Sequence, residues 1–304
     1  MSGNRLLIVG TVALDSLETP YGRRDQVFGG SASYAAYAAS FFCPSQVVSV
    51  VGEDFPEAYQ ALLLARSINL DYLEVRRGRT FRWKGRYGYD LNVAETLETE
   101  INVLAGLHPR LNDNADPTHV FLANVDPGVQ LELLQQLKRP RLKCVAADTM
   151  NYWIQAAREK LYTVLGKIDL LILNDGEARL LAKESNLLRA GRRLQNLGPQ
   201  AVVIKKGEHG VLLLDGQKFF ALPGYPLEDV FDPTGAGDTF GGALVGYLAR
   251  EGRMDFETLK QAVLYGSVVA SFTVERFGLE RLTTLTWTDI EARRSRFKTF
   301  STPL

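Results

Sequence analysis

Asp232-Pro233-Thr234-Gly235-Ala236-Gly237-Asp238-Thr239-Phe240 joins a strand-stopping proline to two glycines around an alanine, then an acidic residue. From Thr239 to Leu248 the chain continues as a helix rich in small residues. Gly235 and Gly237 allow backbone conformations closed to other residues, so successive N–H groups can turn inward. Those amides fall at the first turn of a helix, where unpaired donors and the positive dipole end attract an anion. Asp238 is then a carboxylate beside an anion hole, an arrangement suited to removing a hydroxyl proton while a neighbouring phosphoryl group is stabilised. The plainer alternative is a tight strand-to-helix turn capped by Asp238, since short glycine motifs recur without such a role.

The remaining composition narrows the field. The chain has 304 residues, the length of one large domain or two average ones, and its 46% hydrophobic content can fill a sizeable core. Lys plus Arg equals Asp plus Glu at 35 each, so no global field draws the protein to nucleic acid or an anionic membrane. Anion recognition has to be local. Cys43 and Cys144 sit in apolar contexts and read as reduced thiols of a cytoplasmic protein. His108, His119 and His209 lack metal-ligand spacing. The N-terminus enters a strand without a basic leader, and no apolar run approaches membrane-spanning length.

Short β-rich runs alternate with helical segments, which predicts an α/β fold with a mostly parallel sheet covered on both faces. Strands are expected at Leu6–Val9, Val47–Val51, His119–Leu122, Cys144–Ala147, Leu170–Leu173 and Val202–Lys205. Two long helices, about Asp238–Arg250 and Phe256–Val274, follow the glycine turn. Thr80–Tyr89 breaks the rhythm by alternating bulky aromatics (Phe81, Trp83, Tyr87) with basic residues or glycine, as a strand with two unlike faces would. It reads either as an edge hairpin or as a lid that excludes water from a phosphoryl-transfer site.

Other constellations point to one sheet edge. Asp15 follows the first strand in Gly10-Thr11-Val12-Ala13-Leu14-Asp15, at the edge where ligands of parallel sheets collect. Gly29-Gly30-Ser31-Ala32-Ser33-Tyr34-Ala35 opens a small-residue helix whose glycines permit close approach to a hydroxylated ligand. Asn174-Asp175-Gly176-Glu177 follows an apolar strand and opens a helix, either as a cap or as oxygen donors near Mg²⁺. Lys205-Lys206-Gly207-Glu208-His209-Gly210 ends a further strand with two cations that can neutralise phosphate.

Together these motifs, and above all Asp232–Phe240, resemble the ribokinase-like (PfkB) carbohydrate kinases, in order and spacing from Asp15 to Gly278. The resemblance implies one kinase domain over residues 1–304, with a β-sheet lid built from about 12–28 and 79–104. It implies Asp238 as catalytic base, with the amides of Gly235, Ala236 and Gly237 as the anion hole. Asp15, Gly29, Gly30 and Tyr34 would hold the acceptor, with Arg82 from the lid as a helper. Asn174, Lys205, Gly207 and Thr234 would serve ATP, Glu177 would act on Mg²⁺ through water, and Asp232 is a candidate for a monovalent cation such as K⁺. Ala270–Gly278 lies where relatives line the adenine pocket. Tyr34 departs from the asparagine found in many members, and its ring could stack on a base or sugar plane. The acceptor is therefore expected to be a small sugar or sugar derivative, with a nucleoside as the alternative. A homodimer through the lid edge is a further expectation. A non-catalytic binding protein on the same scaffold is the rival of another class, and a dinucleotide-dependent dehydrogenase is disfavoured because the first strand is not followed by Gly-x-Gly-x-x-Gly.

Overall fold

The computed structural model describes residues 5–112 and 115–301. Among the described residues thirteen strands form two sheets. They are β1 (Leu6–Val9), β2 (Ala13–Thr19), β3 (Gly22–Gly29), β4 (Ser45–Gly52), β5 (Ile68–Arg76), β6 (Phe81–Tyr87) and β7 (Ala94–Glu100). The series continues with β8 (His119–Leu122), β9 (Cys144–Asp148), β10 (Leu170–Asn174), β11 (Ala201–Lys205), β12 (Val211–Asp215) and β13 (Lys218–Leu222). The large sheet has the order β13-β12-β11-β10-β9-β8-β1-β4-β5, parallel except for β12 and β13. The small sheet has the order β3-β2-β6-β7. This is an α/β fold with a mostly parallel sheet covered on both faces, as the alternation of segments predicts, and a separate small sheet beside it.

The strand sequences explain the layers. Leu6 and Ile8 of β1 enter one core, while Leu7 and Val9 enter the other, so an apolar run is buried on both faces. Helices Ser31–Ala39, Ala236–Glu251 and Phe256–Thr273 cover the first face. Pro127–Gln136, Arg158–Leu165, Asp175–Ala182 and Leu187–Gln195 cover the second. No helix among the described residues is long and apolar enough to cross a membrane. Cys43 and Cys144 are buried and unpaired, and burial pushes the Cys43 thiol up to about 12.

Topology then fixes where chemistry can gather. β1 lies between β8 and β4, so the chain winds outward in both directions from it, and the C-terminal ends of β1, β9, β10 and β11 share one edge. A crevice forms at such a reversal. The two helices that open on Gly30 and Gly235 pack against each other along a seam of small residues. A side chain at Gly242 would drive into the Ala35 backbone, and one at Gly246 would come within 2.8 Å of Ala39 Cα. This close approach brings both glycine turns to the same crevice. Gly242→Val should therefore lower stability by about 3 kcal/mol through overpacking. Chemical denaturation measures the effect, and an unchanged midpoint would contradict the seam.

Candidate active site

Gly235 supplies the conformation that the turn needs: φ is 75° at the residue capping helix Ala236–Glu251, in the left-handed region that favours glycine. Its Cα also lies on the ring of Tyr34, with no room for a side chain between them. Two residues on, a Cβ at Gly237 would sit 2.9 Å from Lys205 Nζ. The turn thus places a cation next to a helix N-terminus that has no side-chain cap, where the Ala236 amide donates to the Pro233 carbonyl at 3.2 Å. Asp238 occupies the first turn of that helix. Burial, with the Asp148 carboxylate adding to it and Lys205 opposing, pushes Asp238 up to about 7.

Lys205 closes β11 and its Nζ bonds Asp148 Oδ2 at 3.0 Å. Burial works against the ammonium, but Asp148, Glu177 and Asp238 outweigh it and raise Lys205 above its ordinary value. Its neighbour in the pair, Asp148, ends β9 one residue beyond the stretch that its apolar sequence marks as strand. That position on the shared edge was the available signal for Asp148, which sequence reasoning missed.

Asn174 and Glu177 form a reciprocal cap. Asn174 Oδ1 accepts from the Glu177 amide at 2.8 Å, and Glu177 Oε2 accepts from the Asn174 amide at 2.7 Å. The cap also aims the Glu177 carboxylate at the cluster, where burial and Asp148 push it up to about 7 against the pull of Lys205. Capping and a site role are therefore compatible. Asp148, Glu177 and the Asn174 amide oxygen are hard oxygen donors of the kind Mg²⁺ takes. Among the described residues no cluster of three or more His, Cys, Asp or Glu side chains could hold a metal unaided.

On the other side of the turn, Asp15 lies on β2, paired with Trp83 of β6. Gly29 gives its carboxylate room, because any side chain there would occupy the position of Asp15 Oδ2. Burial pushes Asp15 up to about 8, partly offset by the Gly30 amide and reinforced by Asp232 and Asp238. Thr11 and Ser31 clamp the Gly29-Gly30 turn, each hydroxyl accepting from the other residue's amide at 2.9–3.0 Å. Tyr34 is 1% exposed, with its hydroxyl unpartnered. Its ring lies under Gly235, so what it offers a ligand is the O–H rather than a stacking face.

Asp232 braces the loop. Its Oδ1 accepts from the Thr234 amide and its Oδ2 from the Gly278 amide, both at 2.9 Å, tying the glycine turn to the Ala270–Gly278 segment. Gly207, at the β11 turn, packs directly on the Asn92 side chain from the loop after β6. One expected residue is not brought in. Arg82 pairs with Leu14 rather than Asp15, so alternation puts it on the opposite face of the small sheet. There its Nη2 holds Asp54 at 2.7 Å. Phe81, Trp83 and Tyr87 take the Asp15 face instead, with Trp83 lying across Gly85.

Comparison with known proteins bears on the family and the fold. The profile of the pfkB family of carbohydrate kinases matches residues 15–285. A cytidine kinase of Thermococcus kodakarensis is 30% identical over 246 residues, covering 80% of this chain and 88% of that protein. A nucleoside kinase of Methanocaldococcus jannaschii is 25% identical over 270 residues, with 87% and 84% covered. Among solved structures, a Burkholderia thailandensis nucleoside kinase in complex with inosine superposes with a TM-score of 0.79 at 20% identity, covering 97% of both chains. An E. coli protein described as a ribokinase II, in complex with ATP and Mg²⁺, gives 0.79 at 20% identity over 96% of this chain and 99% of that one.

The buried carboxyl of Asp15 carries a stability signature. Its folded pKa is raised from 3.8 to about 8, so the folded state holds the proton more tightly than the unfolded chain. That contribution is complete below the ordinary carboxylate range and is lost as pH rises through about 8. Asp15→Asn never ionises, so its melting temperature relative to wild type should climb between pH 5 and pH 9, about the range of the shift. Parallel thermal melts at the two pH values test this. A constant difference would mean that Asp15 titrates normally.

Proposed function

The chain belongs to the pfkB family of carbohydrate kinases, phosphotransferases acting on a hydroxyl group of a sugar or nucleoside, and on that premise we propose that it phosphorylates a nucleoside from ATP with Asp238 as base. The observation that carries this reading is the half-buried Asp238 carboxylate in the first helical turn, directly after the Gly235–Gly237 turn and near Lys205. A carboxyl held at about 7 is matched to taking a proton near neutral pH.

In the reaction, Asp238 accepts the proton of the acceptor hydroxyl as its oxygen attacks the γ-phosphorus. The new O–P bond forms while the bond to the β-phosphate oxygen breaks, and ADP leaves. The amides of Gly235, Ala236 and Gly237 face the charge on the moving group. Lys205 exchanges part of its bond to Asp148 for phosphate oxygens. Asn174, Glu177 and Asp148 would hold Mg²⁺ and its waters, and that ion neutralises charge on the phosphates. Thr234 and Gly207 flank the nucleotide, and Asp232 is the candidate for a monovalent cation. The small sheet acts as the lid, and its outer strands β3 and β7 are the edges through which two copies would pair.

At the acceptor end, Asp15 accepts bonds from substrate hydroxyls beside the Gly29-Gly30 turn, and the Tyr34 O–H donates to a substrate oxygen. Similarity to the cytidine and nucleoside kinases along most of their lengths favours a nucleoside over the free sugar that the motifs alone put first. The half-buried indole of Trp83 on the Asp15 face supports a planar base.

ADP release measured over a panel of nucleosides and free sugars should give the highest kcat/KM with a pyrimidine nucleoside. In the same assay Asp238→Asn should cut kcat by about 10²–10⁴-fold, while ATP and acceptor dissociation constants measured by calorimetry stay within about threefold of wild type. A near-normal rate for the variant would remove Asp238 as the base. Preference for a free sugar would restore the other acceptor.

A further inference from the structure

Tyr87 ends β6, on the face of the small sheet that carries Asp15, and its phenol oxygen accepts a hydrogen bond from Thr234 Oγ1 at 3.2 Å. Thr234 is the residue before Gly235, and its amide is held by Asp232. We propose that Tyr87 is a positioning residue: by gripping Thr234 it sets the Gly235–Gly237 amides for phosphoryl transfer only while the small sheet is closed on the body. This rests on the phosphoryl-transfer reading of the same loop.

Three further contacts converge on that loop from the small sheet. Thr19 at the end of β2 donates its hydroxyl to the Phe231 carbonyl at 2.9 Å. The rings of Tyr21 and Phe231 lie 5.0 Å apart. Arg24 of β3 sits over Phe277, 4.9 Å from the ring centre, next to the Gly278 amide that Asp232 holds. Thr19, Tyr21 and Arg24 fix the flanks, while Tyr87 alone of these reaches the turn itself. Beyond it, Asn92 rests on Gly207, so the same connected stretch spans from the acceptor side to the Lys205 turn.

The chemistry of a phenol makes the contact informative. Tyr87 uses its oxygen as acceptor toward Thr234, which leaves its single O–H to donate elsewhere. Asp15, Asp232 and Asp238 are the ionisable groups that face it, together with Tyr34. With the sheet raised, Thr234 Oγ1 loses this partner, and Asp232 is left holding the Thr234 amide and hydroxyl without support from the small sheet. The anion hole is then complete only when the acceptor is enclosed, which protects ATP from water.

A double-mutant cycle tests the grip. Tyr87→Phe and Thr234→Val each remove one side of the hydrogen bond, and each should lower kcat by about threefold to tenfold with the KM for ATP within about twofold of wild type. The double variant should be no slower than the slower single variant. Backbone hydrogen exchange over residues 232–239 gives a readout independent of turnover. It should quicken equally in the two single variants and the double variant. Losses that multiply, or exchange that does not change, would overturn the proposal. If the wild type turned over no acceptor, the kinase reading would fall, and the exchange data would still decide the grip.

Discussion

Lys205 is the one ammonium set among Asp148, Glu177 and Asp238, and the rest of the site depends on how that imbalance is held. A buried carboxylate is costly unless it is paired, and one cation cannot neutralise three. The structure keeps the excess by raising proton affinity, so Glu177 and Asp238 are each pushed up to about 7. Such a cluster is poised for positive charge delivered from outside, which a nucleotide carrying Mg²⁺ would supply under the proposed function. The same deficit sets Asp238 near neutrality, where a carboxylate can take a proton and release it again.

Holding these groups together falls to the scaffold. Parallel register delivers Asp148, Asn174 and Lys205 to one edge, because β9, β10 and β11 end together. The seam of Gly242 and Gly246 against Ala35 and Ala39 lets two helices approach so closely that both glycine turns face the same crevice. Asp232 then spends both carboxylate oxygens on backbone amides, making the catalytic turn continuous with the segment ending at Gly278. Rigid elements therefore carry the acidic cluster. The turn between them is set by the small sheet.

Local motifs carried most of this into the sequence. Glycines at the mouth of a small-residue helix mark a candidate anion turn, and Asn174-x-x-Glu177 marks a cap. Asp15 was legible because it follows the first apolar strand. Asp148 carried the same signal at the end of its own apolar strand, but its link to Lys205 arises only when β9, β10 and β11 are laid side by side. The face of Arg82 depends on which parity of β6 pairs with Asp15, and the sequence of an isolated strand leaves that parity open. Tyr34 was legible as a special position, but the fate of its ring is set by Gly235, two hundred residues away. Tyr87 looked like one aromatic among several because its partner lies in the distant turn.

The coupling between Asp148 and Asp238 is the most direct point of attack. Single-turnover phosphoryl transfer, followed against pH at saturating ATP and Mg²⁺, reports the ionisation of the base. Asp148 raises the Asp238 carboxyl and Lys205 lowers it. Asp148→Asn removes the first influence and frees the second, so the acid limb of the rate profile should move to lower pH. An acid limb that stays in place in that variant would contradict the account, because Asp238 would then not be the ionising base.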